Sequence, residues 1–279
     1  MYGISGFNWI FRLERSRNNR REAQNAKADY RSRPRALPLR IGGISPYKVI
    51  PKPFIVKVNL TMPASLKTNV YVDGFNLYYG KMKNSPYKWL NIRCLCETIF
   101  PKNNICSIKY FTARVRGTPK DPDQPIRQAV YFRALKTIND LTLIYGHFLT
   151  NPKTMPISGT NPIKWVTVDK TEEKGSDVNL ATHLLLDAFN NEYDAAILIT
   201  NDSDLAEPVR VVRDQFKKTV LLLNPFHRYS AKLAQYSDFK KRIMAHHLAG
   251  CQFPPKLSDA GGEFYKPPEW NKAPHNKPK

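Results

Sequence analysis

From Val70 onward, short runs of consecutive apolar residues alternate with segments whose apolar residues recur every three or four positions. Runs of this length bounded by polar turns read as buried strands, and the three-to-four spacing marks the buried face of a helix. Strands are therefore expected at residues 70–73, 105–114, 141–148, 163–168, 195–200 and 219–223. Helices are expected at 90–100, 124–139, 178–189, 205–216 and 239–248. The stripe Ala181, Leu184, Leu185 and Ala188 and the stripe Val209, Val212 and Phe216 are core faces on this reading. Strands alternating with amphipathic helices build a mainly parallel sheet covered on both sides, so the fold class is α/β.

Composition changes this picture mostly at the ends. Residues 1–61 carry 13 Lys and Arg against 3 acids, are punctuated by Pro, and lack apolar periodicity. Such a segment buries too little to offset its ordering entropy, so a basic, disordered extension is expected there. Met62, just before the first strand, is an alternative start, and a nucleic-acid-binding arm or an Arg-rich targeting segment is the functional reading of the same residues. Residues 62–250 are expected to form the domain. Residues 251–279, with two Pro pairs and isolated aromatics, are read as a C-terminal strap.

The formal charge of +21 is spread beyond the N-terminal extension, since residues 62–251 hold 26 basic against 17 acidic residues. A basic surface favours polyanions, because each neutralised phosphate releases counterions. A solvated face that only aids solubility is the competing reading. Cys94, Cys96, Cys106 and Cys251 form no C-x-x-C pair, so they read as reduced thiols in a cytoplasmic chain. No apolar stretch approaches the ~20 residues of a membrane span.

Two of the predicted strands stop on acids. The first runs Tyr71-Val72-Asp73-Gly74-Phe75-Asn76, and the later one runs Ile199-Thr200-Asn201-Asp202-Ser203-Asp204. In open α/β sheets ligands bind beyond the carboxyl ends of strands. Gly74 is expected to let the chain turn sharply after Asp73. Asp73 is also a natural helix N-cap, and Glu207 after Asp204 suggests a capping box. A third acid, Asp177, follows Ser176, itself an expected N-cap at the start of the most apolar helix. Each acid alone is ordinary, but clustered carboxylates repel one another unless a cation joins them. Hard Mg²⁺ or Mn²⁺ ions take such oxygen ligands.

These motifs, together with Glu172-Glu173-Lys174-Gly175-Ser176-Asp177-Val178, Tyr145-Gly146-His147-Phe148 and Cys251-Gln252-Phe253-Pro254, resemble the NYN domain family of the PIN-like nuclease group, in its bacterial LabA-like branch. The resemblance covers about residues 66–255. It implies a PIN-like three-layer α/β/α sandwich and a Mg²⁺- or Mn²⁺-dependent endoribonuclease. It also implies metal binding by Asp73, Asp177, Asp202 and Asp204, with Asn76 orienting water or metal. The implied reaction is in-line attack of a metal-bound water on an RNA phosphodiester.

Lys81, Lys83, Arg114, Arg116 and Lys174 fall near strand ends or loops on the same side and are candidates for holding the RNA backbone. Tyr78 and Tyr79 are candidates for base stacking, one of them packing into the core. The long segment 151–162 reads as a loop near the mouth, and His183 and Asp187 as partly buried structural groups. RNA is the expected partner, with a second copy of the chain as an option. Two rivals remain: an RNA- or protein-binding module of the same fold with little catalysis, and an aspartyl-phosphate phosphatase. The phosphatase needs a second Asp where Phe75 stands. No G-x-S-x-G elbow supports a serine hydrolase.

Overall fold

The last six residues of β1 (Leu66–Asp73) are buried, and this strand is the axis of the computed structural model, which describes residues 66–271. The expectations for residues 1–61, including a start at Met62, lie outside the described residues, as do positions 272–279 of the strap. After β1 come α1 (Gly74–Leu77), continued by a π-helical turn (Tyr78–Met82), then α2 (Ile92–Ile99), β2 (Asn103–Thr112) and α3 (Gln124–Leu135). β3 (Leu141–Tyr145), β4 (His147–Pro156), β5 (Trp165–Lys174) and α4 (Ser176–Phe189) follow. The chain then forms β6 (Ala195–Ile199), α5 (Ala206–Asp214), β7 (Thr219–Asn224), α6 (Ala231–Gln235), β8 (Phe239–Arg242) and α7 (Ala245–Gly250). It closes with β9 (Lys256–Asp259) and β10 (Gly262–Tyr265).

Six strands pair in the order β3-β2-β1-β6-β7-β8, every pair parallel. The chain runs outward from β1 to β3, then resumes on the other side of β1 at β6. The direction of winding therefore reverses between β1 and β6, which makes a crevice at their carboxyl ends. Val70, Val72, Ile108, Ile197 and Ile199 pack against Ile92 and Leu95 of α2 and Phe132 of α3. On the opposite face Tyr71, Phe111, Ala196 and Leu198 meet Leu180 and Leu184 of α4 and Val209 and Val212 of α5. Coverage on both faces explains why the central strands are continuous apolar runs. The PIN-like three-layer sandwich expected from the resemblance is present.

One polar group is buried inside this sandwich. Asp187 Oδ2 accepts hydrogen bonds from the Tyr71 hydroxyl at 2.6 Å and from Lys109 Nζ at 2.5 Å. Tyr193 covers Tyr71 edge-on at 5.9 Å and donates its own hydroxyl to the Leu184 carbonyl. Asp187 is thus a structural group, and the network ties β1 and β2 to α4.

Three expected elements differ. The run 141–148 divides at Gly146: β3 ends at Tyr145 in the sheet, and β4 leaves it to pair antiparallel with β5, from His147 opposite Lys174 to Pro156 opposite Trp165. Residues 163–168 therefore do not join the central sheet, and much of the expected mouth loop 151–162 is strand. This hairpin is held by its ladder and by cross-strand Thr150–Thr171 and Thr154–Thr167 hydroxyl bonds of 2.8 and 3.0 Å, without a buried face to mark it in sequence. Trp165, Val166 and Val168 on β5 are exposed. Residues 239–242, expected as helix, form edge strand β8, whose Lys240 and Lys241 suit an unpaired edge.

The segment after Cys251 bonds back to the domain: Phe253 N donates to the Trp89 carbonyl at 2.9 Å, and Trp89 Nε1 to the Pro254 carbonyl at 2.8 Å. Its β9–β10 hairpin and the turn at Pro268–Asn271 bring Phe253, Phe264 and Trp270 around the fully buried Trp89 at 5.8, 6.4 and 6.1 Å. Among the described residues no helix is long and apolar enough to cross a membrane.

Breaking a buried ion pair strands the remaining charge. Lys109→Met is expected to cost about 3–5 kcal/mol in urea unfolding, and Lys109→Met with Asp187→Leu less than Lys109→Met alone. A double variant less stable than the single one would remove Asp187 as the reason.

Candidate acidic site at the sheet switch point

β1 and β6 end side by side, with Val72 paired to Ile199. Asp73 follows on one strand and Thr200 on the other, so the two meet: Thr200 Oγ1 donates to Asp73 Oδ2 at 3.1 Å. Thr200 Oγ1 also accepts from Asp202 N at 3.1 Å, which sets the direction in which the next loop leaves β6. Asp73 Oδ1 accepts from Asn76 N at 2.9 Å, so Asp73 caps α1. The Asn76 side-chain oxygen in turn accepts from Asn201 N at 3.0 Å. Asn201 Oδ1 takes Ser230 N, and Asn201 Nδ2 gives to the Arg228 carbonyl, locking this loop to the one after β7.

Gly74 is required for space. A Cβ there would fall 2.6 Å from Tyr110 Cε1 and 2.8 Å from the Phe111 carbonyl oxygen. The backbone at Gly74 is not in the left-handed region, so the sharp-turn argument from sequence is replaced by close approach of α1 to β2.

The second arm of the site is the start of α4. Gly175 takes φ 95°, a value a side chain rarely adopts, and occupies the N-cap position expected for Ser176. Ser176 instead donates its N–H and hydroxyl to Glu173 at 3.1 and 2.7 Å. Asp177 stands in the first turn with its charge toward the crevice. Asp202 caps the short turn Ser203–Leu205 by accepting from Asp204 N at 3.0 Å. Glu207 makes no capping box and pairs with Arg210 on the surface.

The acids sense one another. Asp73, 4% exposed, is pushed up to about 7, first by burial and then by the charges of Asp177 and Asp202, against the hydrogen bonds from Asn76 and Thr200. Asp177 lies at the rim, yet lost solvation, then Asp202, Glu173 and Asp204, lift it to about 6. Asp73, Asp177, Asp202 and Asp204 are therefore gathered in one field, and Glu173 joins it. Among the described residues no three His, Cys, Asp or Glu side chains stand at metal-ligating spacing. The donor chemistry still suits Mg²⁺, which binds through one or two carboxylates plus waters and phosphate and needs no complete protein cage.

The candidate basic residues make different local contacts. Lys81 sits on the π-helical turn, its pKa lowered by burial and by Arg242, and Lys83 lies 4.8 Å over the Tyr79 ring. Arg114 covers Tyr145 at 5.1 Å, and Arg116 is exposed on the loop after β2. Lys174 is engaged by Glu172 at 3.1 Å, which makes it the least available of the five. Tyr79 is 55% exposed while Tyr78 packs on the core. Thr200, Asn201 and Glu173 were given no role from sequence. A Thr ending a buried strand just before an acid is the signal that marks Thr200.

The NYN domain family matches residues 67–239, more than half of the chain. The chain belongs to the NYN domain family. A relative of this NYN protein, 6-hydroxy-3-succinoylpyridine 3-monooxygenase HspA of Pseudomonas putida, is 30% identical over 236 residues, covering 74% of this chain and 75% of that one. A solved Vibrio parahaemolyticus protein of unknown function has a TM-score of 0.43 and 18% identity, over 65% of this chain and 95% of its own.

The raised pKa of Asp73 carries a stability consequence. An ordinary Asp titrates near 4, so between about pH 4 and 7 the native state holds a proton that the unfolded chain has released. That stabilisation is full below about pH 4 and lost as pH rises through 7. In EDTA, Asp73→Asn is expected to melt above wild type at pH 8 and to match it at pH 4. Equal melting temperatures at both pH values would contradict the burial argument.

Proposed function

We propose that this NYN domain is a metal-dependent endoribonuclease whose centre is the acid crevice between β1 and β6. The observation that carries the reading is the convergence of Asp73, Asp177, Asp202 and Asp204 on one electrostatic site at the switch point of the sheet. Family membership supports hydrolysis of phosphodiesters, since the NYN family is nuclease-like. Asp73 and Asp202 are the innermost of the four acids and would hold a Mg²⁺ or Mn²⁺ ion, with Asp177 and Asp204 at the rim. When bound, such an ion supplies Lewis acidity that lowers the pKa of water and offsets charge on a scissile phosphate.

The chain's own residues set the geometry. Thr200 and the Asn76 N–H fix both Asp73 oxygens, so this carboxylate cannot rotate. Asn76 gives its side-chain oxygen to Asn201 N, and its amide N–H groups, which bond nothing among the described residues, are the donors for water or a phosphate oxygen. Lys81, Lys83, Arg114 and Arg116 add the positive field that draws the RNA backbone. Their contribution weakens with salt, because it arises from counterion release.

A second reading comes from the Pseudomonas putida relative, whose name describes monooxygenation of a substituted pyridine. On that reading the scaffold serves a small aromatic substrate, and turnover consumes oxygen and a two-electron reductant.

Single-stranded RNA with Mn²⁺ is expected to be cut by wild type. Cutting should stop in EDTA and fall at least ~100-fold in Asp73→Asn, about 2.7 kcal/mol of transition-state stabilisation, while RNA binding changes little. Gel assays of cleavage and of retention read the two quantities separately. RNA bound equally by both proteins and cut by neither would leave a binding module. Reductant-dependent oxygen uptake with 6-hydroxy-3-succinoylpyridine would favour the second reading.

A further inference from the structure

A cavity of about 470 Å³ opens on the α3 side of the sheet, among the π-helical turn, α3 and the Pro268–Asn271 turn. It adjoins the acid crevice, since the charge of Asp73 reaches Tyr110, but none of the four site aspartates lines it. Tyr110 and Thr112 reach it from the face of β2 opposite Phe111, whereas Asp73 points to Thr200 on the α4 side. Its volume lies within the ~300–1,000 Å³ of small-molecule sites. The walls are aromatic, with Phe75, Tyr78, Tyr110, Tyr131, Phe132 and Trp270 contributing rings. Trp270 meets Tyr131 nearly edge-on at 6.1 Å, which holds one wall in place.

Two features suit the cavity to a ligand with polar and anionic groups. Tyr110 and Thr112 are each only 3% exposed, and among the described residues neither hydroxyl makes a hydrogen bond. Both hydroxyls stay accessible from the cavity and are free to bond a polar atom that enters it. At the mouth, Arg127 gives only Nη2 to Asp121, leaving Nε and Nη1 without a partner among the described residues. Lys83 and Lys88 line the same space, with Glu269 as the remaining acid. Lys88 has its pKa lowered by burial and by the neighbouring charges of Arg127 and Lys266, a crowding of cations that an anion would relieve.

We propose that this cavity binds a planar aromatic ring carrying an anionic group, the ring against the aromatic wall and the anion at Arg127 and Lys88. Rings with a π-face stack on such walls irrespective of their substituents, while the two hydroxyls read a ring heteroatom or carbonyl. A nucleotide unstacked from RNA and a free aromatic acid both have this chemistry. The inference extends beyond phosphodiester cleavage and does not depend on it, since none of the four site aspartates lines the cavity.

The test is calorimetric titration of the full-length protein in EDTA with nucleoside 5′-monophosphates, with nicotinate as the free aromatic acid, and with a nucleoside and inorganic phosphate as controls. Saturable binding is expected for ligands with both ring and anion, at least ~10-fold tighter than for either control. Tyr110→Phe is expected to weaken binding ~5-fold or more, and Lys88→Met to remove the advantage of the anion, with circular dichroism confirming that both variants fold. Nucleotides binding in preference to nicotinate would assign the site to RNA, and the reverse preference to a free acid. No binding of either class at millimolar concentration, or binding unchanged in both variants, would overturn the proposal. Because binding is read without cleavage, loss of the nuclease reading and loss of this one are separable.

Discussion

A carboxylate that is almost wholly covered sits at the end of the central strand, and much of the local structure exists to hold it there. Burying Asp73 costs solvation, and two more acids nearby raise that cost. The surrounding elements answer with fixed donors: the first turn of α1 through Asn76, and the end of β6 through Thr200. Those donors are available only because β1 and β6 are neighbours and end at the same level. The parallel sheet and its reversal of winding are thus what make the acid site affordable.

The same constraint shapes the opposite face. For α1 to start directly after Asp73, its backbone must lie against Tyr110 and the Phe111 carbonyl, which only Gly74 permits. That close approach carries Phe75 and the π-helical turn over the end of β2, and there they frame the aromatic cavity. Two sites on opposite faces of the sheet therefore share one short connection. A change in α1 would be felt by the crevice through Asn76 and by the cavity through Phe75 and Tyr78.

The central sheet was readable in sequence because strands buried on both faces leave unbroken apolar runs, as in Ala195-Ala196-Ile197-Leu198-Ile199. The acids were readable because each follows such a run or opens the most apolar helix. The β4–β5 hairpin was not, since its exposed Thr pairs give no contrast between a buried and a solvated face. β8 is masked in sequence because Lys240, Lys241 and Arg242 on a sheet edge look like a solvated helix. Thr200 reads as one more strand residue until Asp73 is seen opposite it. The cavity was hidden for a different reason: its lining comes from segments near both ends of the described chain, from Phe75 to Trp270, and no local pattern links them.

Trp89 is enclosed by Phe253, Phe264 and Trp270, all of which follow the last residue matched by the family. The packed core accordingly extends beyond the residues matched by the family. During synthesis the growing chain exposes this indole and one wall of the cavity until Trp270 has been made, so the cluster closes from a late segment back onto an early one. Long-range closure of this kind is slow relative to local helix formation. The interval before it is the stage at which this protein is most open to chaperones, proteases and its own neighbours.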